Sequence, residues 1–212
     1  MSNRQSRQTR AGYFETESGN RISRKATIVG SQYILMGGKS TILPDCVIRG
    51  DLQRPSNSGS SSASINVGRY VFLDKAVLVR PPFKIYKGAI TYYPMNIGNY
   101  VSVGSGTVLQ SASIGSYVSI GKNCIVDKFA IIKDCVVIRD GAVIPSTACI
   151  PPFSIVAGSP AAVVGVLPES AAEVLEREAR QLYALHGQML NLDEAENVLG
   201  CVFDDRSEIG IN

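Results

Sequence analysis

A neutral-pH general base is most often a histidine, and among the 212 residues there is one, His186. Five cysteines, Cys46, Cys124, Cys135, Cys149 and Cys201, include no C-x-x-C pair and are remote from His186 in sequence. That spacing argues against zinc and suits thiols used as small core residues in a reducing, intracellular compartment. Between residues 97 and 160 the carboxylates are Asp127, Asp134 and Asp140, too sparse to form a cluster. His186 itself reads as an ordinary surface histidine. One stretch is richer: "RPPFKIYKGAITYYPMN" (80–96) interleaves Phe83, Tyr86, Tyr92 and Tyr93 with Lys84 and Lys87, and Pro81, Pro82 and Pro94 stiffen it. That is binding chemistry, since rigid rings bury area at low entropic cost. The same rings would also serve to cover a sheet edge, and both readings stay open.

What must hold this stretch in place is written in a period of six. From Ile114, counting by six gives Ile120, Val126, Ile132, Ile138, Ile144, Ile150 and Val156, all Ile or Val, although these two types make up only 41 of the 212 residues. Four places after each comes a mostly small residue: Val118, Cys124, Ala130, Val136, Ala142, Ala148, Ser154 and Pro160. Six is three strand periods, so every aliphatic stays on one face while the chain turns between units. Short strands joined by tight corners, three to a coil, satisfy this. Ile114, Ile132 and Ile150 would then stack on one another. The expected fold is mainly β, a parallel β-helix of hexapeptides with a C-terminal α-helix. Upstream, Ile97, Val103 and Leu109 continue the register, and the step from Leu109 to Ile114 is short by one residue. Val67, Leu73 and Val79, then Ile42 with Ile48 and Ile28 with Ile34, extend it to about six or seven coils between roughly residues 20 and 160.

The expected organisation is a tail over 1–14, the β-helix over 15–167 with loops at 52–64 and 80–96, a helix over 168–192 and an acidic tail over 193–212. The loop "LQRPSNSGSSSAS" is rich in Ser and Gly and reads as flexible. Ser170 and Glu173 have capping-box spacing, and Ala172, Leu175, Ala179, Leu182, Tyr183 and Met189 lie near one face of the helix that follows. That face is expected to pack along a flank of the β-helix. The start, "MSNRQSRQTRAGYF", has Arg but no apolar core, so it reads as a tail and not a secretory signal, with a transit peptide as the alternative. No apolar run approaches the roughly 18–20 residues of a membrane span, so no direct membrane insertion is expected. Residues 1–168 carry 18 Lys/Arg against 8 Asp/Glu, and residues 169–212 carry 3 against 10. A basic body with an acidic tail points to electrostatic partner choice or to the tail folding back. The basic excess is spread out, without an aromatic-rich nucleic-acid signature, so no nucleic-acid partner is expected.

The same repeat builds acyltransferases, gamma-class carbonic anhydrases and scaffolds, so the fold does not decide function. "VIRGD" (47–51), "IGNYVSVGSGTVLQSASIGSYVSIG" (97–121) and "GSPA" (158–161) resemble the gamma carbonic anhydrases, in which three histidines hold a metal. Matching motif to motif puts Pro82, Ser105 and Gln110 where those histidines would stand, so the resemblance implies the scaffold without its metal site. A fuller resemblance, over about residues 15–170, is to the dynactin subunit 5 family. It rests on "ESGNRISRKATIVGSQYILMGGKSTILPDCVIRGDL" (17–52), "RPPFKIYKG" (80–88), "IGSYVSIGKNCIV" (114–126) and "IPPFSIVAGSPAAVVGVLPE" (150–169). This second resemblance implies a left-handed β-helix in the dynactin pointed-end complex, with no enzymatic activity and no cofactor. The partners it implies are a paralogous β-helix subunit, the pointed-end actin-related protein, the zinc-binding pointed-end subunit and dynein cargo adaptors. It also implies a cytoplasmic, cytoskeleton-associated location. Its loop motif gives Arg80, Pro81, Pro82, Phe83, Lys84, Tyr86, Lys87 and Gly88 as the expected partner-binding residues. The alternative is a divergent carbonic anhydrase-like or acyltransferase-like enzyme that forms a homotrimer.

Overall fold

A computed structural model describes residues 9–10, 12–53, 63–86 and 88–204. Most of the expected N-terminal tail, residues 54–62 of the Ser-rich loop, Lys87 and residues 205–212 of the acidic tail lie outside the described residues.

The hexapeptide period becomes a left-handed β-helix with three parallel sheets. The first face stacks Arg21–Ser23, Thr41–Ile42, Phe72–Leu73, Val101–Val103, Val118–Ile120, Val136–Ile138 and Ser154–Ala157. The second stacks Thr27–Val29, Val47–Arg49, Leu78–Val79, Val108–Leu109, Ile125–Val126 and Val143–Ile144. The third stacks Ile34–Met36, Ile65–Val67, Met95–Ile97, Ser113–Ile114, Ile131–Ile132 and Cys149–Ile150. Registers place like on like, with Ile97, Ile114, Ile132 and Ile150 in one row and Val103, Ile120, Ile138 and Val156 in another. These rows are buried, as are the small residues Cys124, Ala130 and Ala142, four places after Ile120, Val126 and Ile138. Each buried aliphatic contributes about 1.5–3 kcal/mol relative to exposure.

The corners are where the backbone is strained. Tyr70, Tyr100, Tyr117, Cys135 and Phe153, at successive turns from the third face to the first, all have φ between 55° and 58°. A left-handed conformation costs a non-glycine residue roughly 1–2 kcal/mol. It is held by hydrogen bonds to the preceding coil: Tyr100 N–H donates to Arg69 O at 2.8 Å, and Tyr117 N–H to Asn99 O at 2.9 Å. At the same corner Gly98 lets the coils approach, because a Cβ there would lie 2.5 Å from Gly115 O. The rings at these corners form a ladder, with Tyr70 stacked on Tyr100 at 5.2 Å and Tyr100 on Tyr117 at 5.3 Å between centroids. Asp134 and Asp140 are corner residues as well, each accepting from a backbone N–H of the preceding coil at 2.7 Å.

Antiparallel strands cover both ends of the first face, Tyr13–Glu15 against Arg21–Ser23 and Ala162–Val166 against Ser154–Ala157. The C-terminal helix, Ala171–Asp204, packs on the flank beside the tyrosine ladder. Arg21 Nη1 donates to Tyr183 O at 2.6 Å while its guanidinium lies 3.9 Å from the Tyr183 ring, and Tyr183 OH donates to Gly19 O at 2.9 Å. Three expectations about the helix change. It continues through residues 193–204, where Leu192, Ala195, Leu199 and Val202 keep helical spacing in the sequence. The buried stripe runs through Ala171, Leu175, Ala179, His186 and Leu190, which leaves Met189 63% exposed. His186 is not a surface residue: it is 8% exposed, with its ring 4.8 Å from that of Tyr13. Tyr183→Phe, which removes one hydrogen bond and nothing else, is expected to lower stability by about 0.5–1.5 kcal/mol, measured as the urea midpoint at unchanged slope.

Candidate interaction site

The Ser-rich insertion and the aromatic stretch leave the β-helix at the same corner, between the second and third faces, on adjacent coils. Arg49 is followed by the first, Val79 by the second. Within the second, Phe83–Tyr86 and Ala89–Tyr92 pair as an antiparallel hairpin with Phe83 opposite Tyr92, Lys84 opposite Thr91, and Ile85 opposite Ile90. Two residues join the strands. Gly88 takes φ 78°, the left-handed conformation that a two-residue hairpin turn requires.

The hairpin bends back onto the body. Its coil is followed by the corner that is short by one residue, Gln110–Ala112. The hairpin reaches past that corner to Lys128 and Phe129, one coil further on. Tyr93 meets the Phe129 ring edge-on at 5.3 Å, Lys84 Nζ lies 4.8 Å from the same ring, and Lys128 Nζ lies 4.5 Å from the Phe83 ring. Phe83 and Tyr92 meet at 5.8 Å, and the Arg80 guanidinium sits 5.4 Å from Phe83. Interleaved aromatics and cations thus pack largely against one another. Under the hairpin, Pro81 and Pro82 are buried, and Pro82 O accepts from Tyr93 N–H at 2.8 Å. At its foot, Arg49 Nε and Nη2 each donate to an Asp51 carboxylate oxygen at 2.7 Å, a fork that holds Asp51 below the usual carboxylate range.

The expected contact residues therefore separate. Pro81 and Pro82 act from beneath, Arg80 and Phe83 are half-buried in the ring cluster, and Lys84 and Gly88 are exposed. Tyr86 is the last residue of its strand, and Lys87 lies outside the described residues. Ile85 and Ile90, not among the expected contact residues, are 67% and 52% exposed and directly opposite each other. A signal for them was present: "FKIY" and "AITY" alternate in the strand period about the "KG" turn, which sets Phe83, Ile85, Ile90 and Tyr92 on one face.

The positions aligned with metal-binding histidines in the carbonic anhydrases serve the coil backbone. Pro82 is buried, Ser105 O accepts from Asn123 N–H at 2.8 Å, and Gln110 N–H donates to Val126 O at 2.9 Å. Among the described residues no three His, Cys, Asp or Glu side chains gather in one place. Burial raises the Cys46, Cys124 and Cys135 thiols above their ordinary range, whereas Cys149 is exposed on the third face. Iodoacetamide at pH 8 is therefore expected to modify Cys149 in the folded chain and to reach Cys46, Cys124 and Cys135 only in urea, read by peptide mass spectrometry. The sign for stability follows: the unfolded thiols ionise at lower pH than the buried ones, so stability falls as pH rises above about 8.5–9.

The sequence matches the profile of the dynactin subunit 5 family over residues 4–190. Dynactin subunit 5 of Dictyostelium discoideum is 39% identical over 104 residues, 49% of this chain and 48% of that protein, so the aligned region spans about half of that curated relative. Among solved structures, a hexapeptide transferase family protein from Anaplasma phagocytophilum aligns with a TM-score of 0.56 at 20% identity, covering 78% of this chain and 90% of its own. A putative acetyltransferase from Bacillus cereus aligns with a TM-score of 0.54 at 22% identity, covering 83% and 94%. At such identities the structures share the β-helix and nothing more is carried over. With the profile matched from the N-terminal tail to Leu190, the chain belongs to the dynactin subunit 5 family.

Proposed function

We propose that this chain is a non-catalytic interaction subunit of the dynactin pointed-end complex, supporting engagement of cargo and adaptors by dynein–dynactin. The observation that carries the proposal is the family match over residues 4–190, and the hairpin, with Ile85 and Ile90 exposed, is the contact surface in this reading. A β-helix is a rigid prism whose faces and open strand edges suit assembly with other subunits. The partners in this reading are a paralogous β-helix subunit, the pointed-end actin-related protein, the zinc-binding pointed-end subunit and dynein cargo adaptors. The reading carries with it a cytoplasmic, cytoskeleton-associated location. Arg80, Phe83, Lys84, Tyr86, Lys87 and Gly88 form the contact region with Ile85 and Ile90, and Pro81 and Pro82 stiffen its base.

The test is affinity purification of the tagged chain from its own cells in gentle salt, followed by mass spectrometry. Dynactin subunits in fixed proportion are the expected result. Recovery of the chain alone, at three times its mass, or stoichiometric zinc with carbon dioxide hydration above background, would overturn the proposal in favour of a homotrimeric enzyme.

A further inference from the structure

We infer that the cavity between the tyrosine ladder and the C-terminal helix binds a soluble small molecule carrying more than one phosphate group. The cavity has a volume of about 390 Å³, within the size range of small-molecule sites, and three cations line it. They come from separate parts of the chain: Lys39 from one corner, Arg69 from the corner of the next coil, and Arg180 from the helix. Tyr70 brings two of them together, with Lys39 Nζ 5.5 Å and the Arg180 guanidinium 4.9 Å from its ring.

Each side chain that lines the cavity carries a hydrogen-bond donor: Ser18, Lys39, Arg69, Tyr70, Tyr100 and Arg180. Arg180 donates to Tyr70 OH at 3.3 Å and to Tyr100 OH at 3.1 Å, which leaves each phenol its own hydrogen to donate. Arg180 is also paired with Glu176 at 2.7 Å, but among the described residues Lys39 and Arg69 have no carboxylate within ion-pair distance. Lys39 and Arg69, lining one cavity without a carboxylate of their own, repel each other, and an anion in the cavity relieves that repulsion. Guanidinium forks match phosphate oxygens in pairs, and ammonium adds a point charge. The three cations line a cavity of about 390 Å³, a volume that holds more than one phosphate group.

The test is calorimetric titration of the full-length chain with pyrophosphate and with inositol hexakisphosphate, at low and physiological salt. Saturable one-to-one binding is expected, weakened about tenfold by Arg69→Gln and by Lys39→Asn, and about a hundredfold or more in the double variant. Asparagine tolerates the left-handed backbone at position 39, where φ is 58°, so the fold is kept. Lys122→Gln, at an exposed corner lysine that does not line the cavity, is expected to change nothing. Three results would overturn the assignment: no binding by the unaltered chain, equal affinity in the double variant, or equal weakening by Lys122→Gln. Binding to vesicles bearing phosphatidylinositol bisphosphate without binding of either soluble probe would overturn it too, in favour of a membrane-held headgroup. None of these outcomes bears on the hairpin or on dynactin membership.

Discussion

Ile132→Ala is expected to lower the unfolding free energy by about 2–5 kcal/mol, while Ile131→Ala, one residue away, stays within about 0.5 kcal/mol. The two positions share a strand and a backbone, and differ only in which way the side chain points. Ile132 is 1% exposed and in register between Ile114 and Ile150, so truncation leaves a void between three coils that rigid neighbours cannot close. Ile131 points outward at 37% exposure, in register with Ser113 and Cys149. Urea unfolding of the two variants checks this directly. In a stacked repeat the loss can appear as a separate early transition of the last coils, so hydrogen exchange along residues 114–150 should be read beside it. Equal effects at both positions would mean that the inward row is not the main source of stability.

The contrast between these neighbours also explains what the sequence could reveal. A coil that repeats every 18 residues must put an aliphatic inward at every sixth position, so the rows through Ile114, Ile132 and Ile150 follow from counting. The left-handed corners were less legible. Their residues include Lys39, Tyr70, Cys135 and Phe153, with no common side-chain chemistry, because what they share is a backbone angle held by hydrogen bonds to the neighbouring coil. The helix lies between these cases. Its existence is written in capping and composition, but its rotation is set by where Arg21 and Gly19 receive Tyr183. That contact turns His186 and Leu190 inward and Met189 outward, which no period within the helix could show. At the hairpin the composition pointed to a special surface, yet it favoured the rings. Those rings have partners in Phe129 and Lys128, two residues far away in sequence that only the stacking of the coils brings beside the hairpin.

That distinction changes which substitution tests the hairpin. Replacing Phe83 and Lys84 with alanine would strip the contacts to Lys128, Arg80 and Phe129, so a loss of binding would be confounded with a loosened hairpin. Ile85→Lys with Ile90→Glu avoids the problem, because both side chains are more than half exposed, both stand beyond the ring cluster, and the two new charges face each other without repulsion. Stability is expected to change by less than about 1 kcal/mol, as at other surface positions. Recovery of dynactin subunits with the tagged chain is expected to fall by roughly a hundredfold, since a buried hot-spot position is worth 2 kcal/mol or more and a carboxylate there must also be desolvated. Circular dichroism melting and quantitative mass spectrometry of the purified complex give the two readouts. Full recovery with an unchanged melt would show that the exposed isoleucine pair is not a contact surface. The flat outer faces of the β-helix, with Val47, Leu78, Val108, Ile125 and Val143 aligned along the second, would then be the next surface to alter.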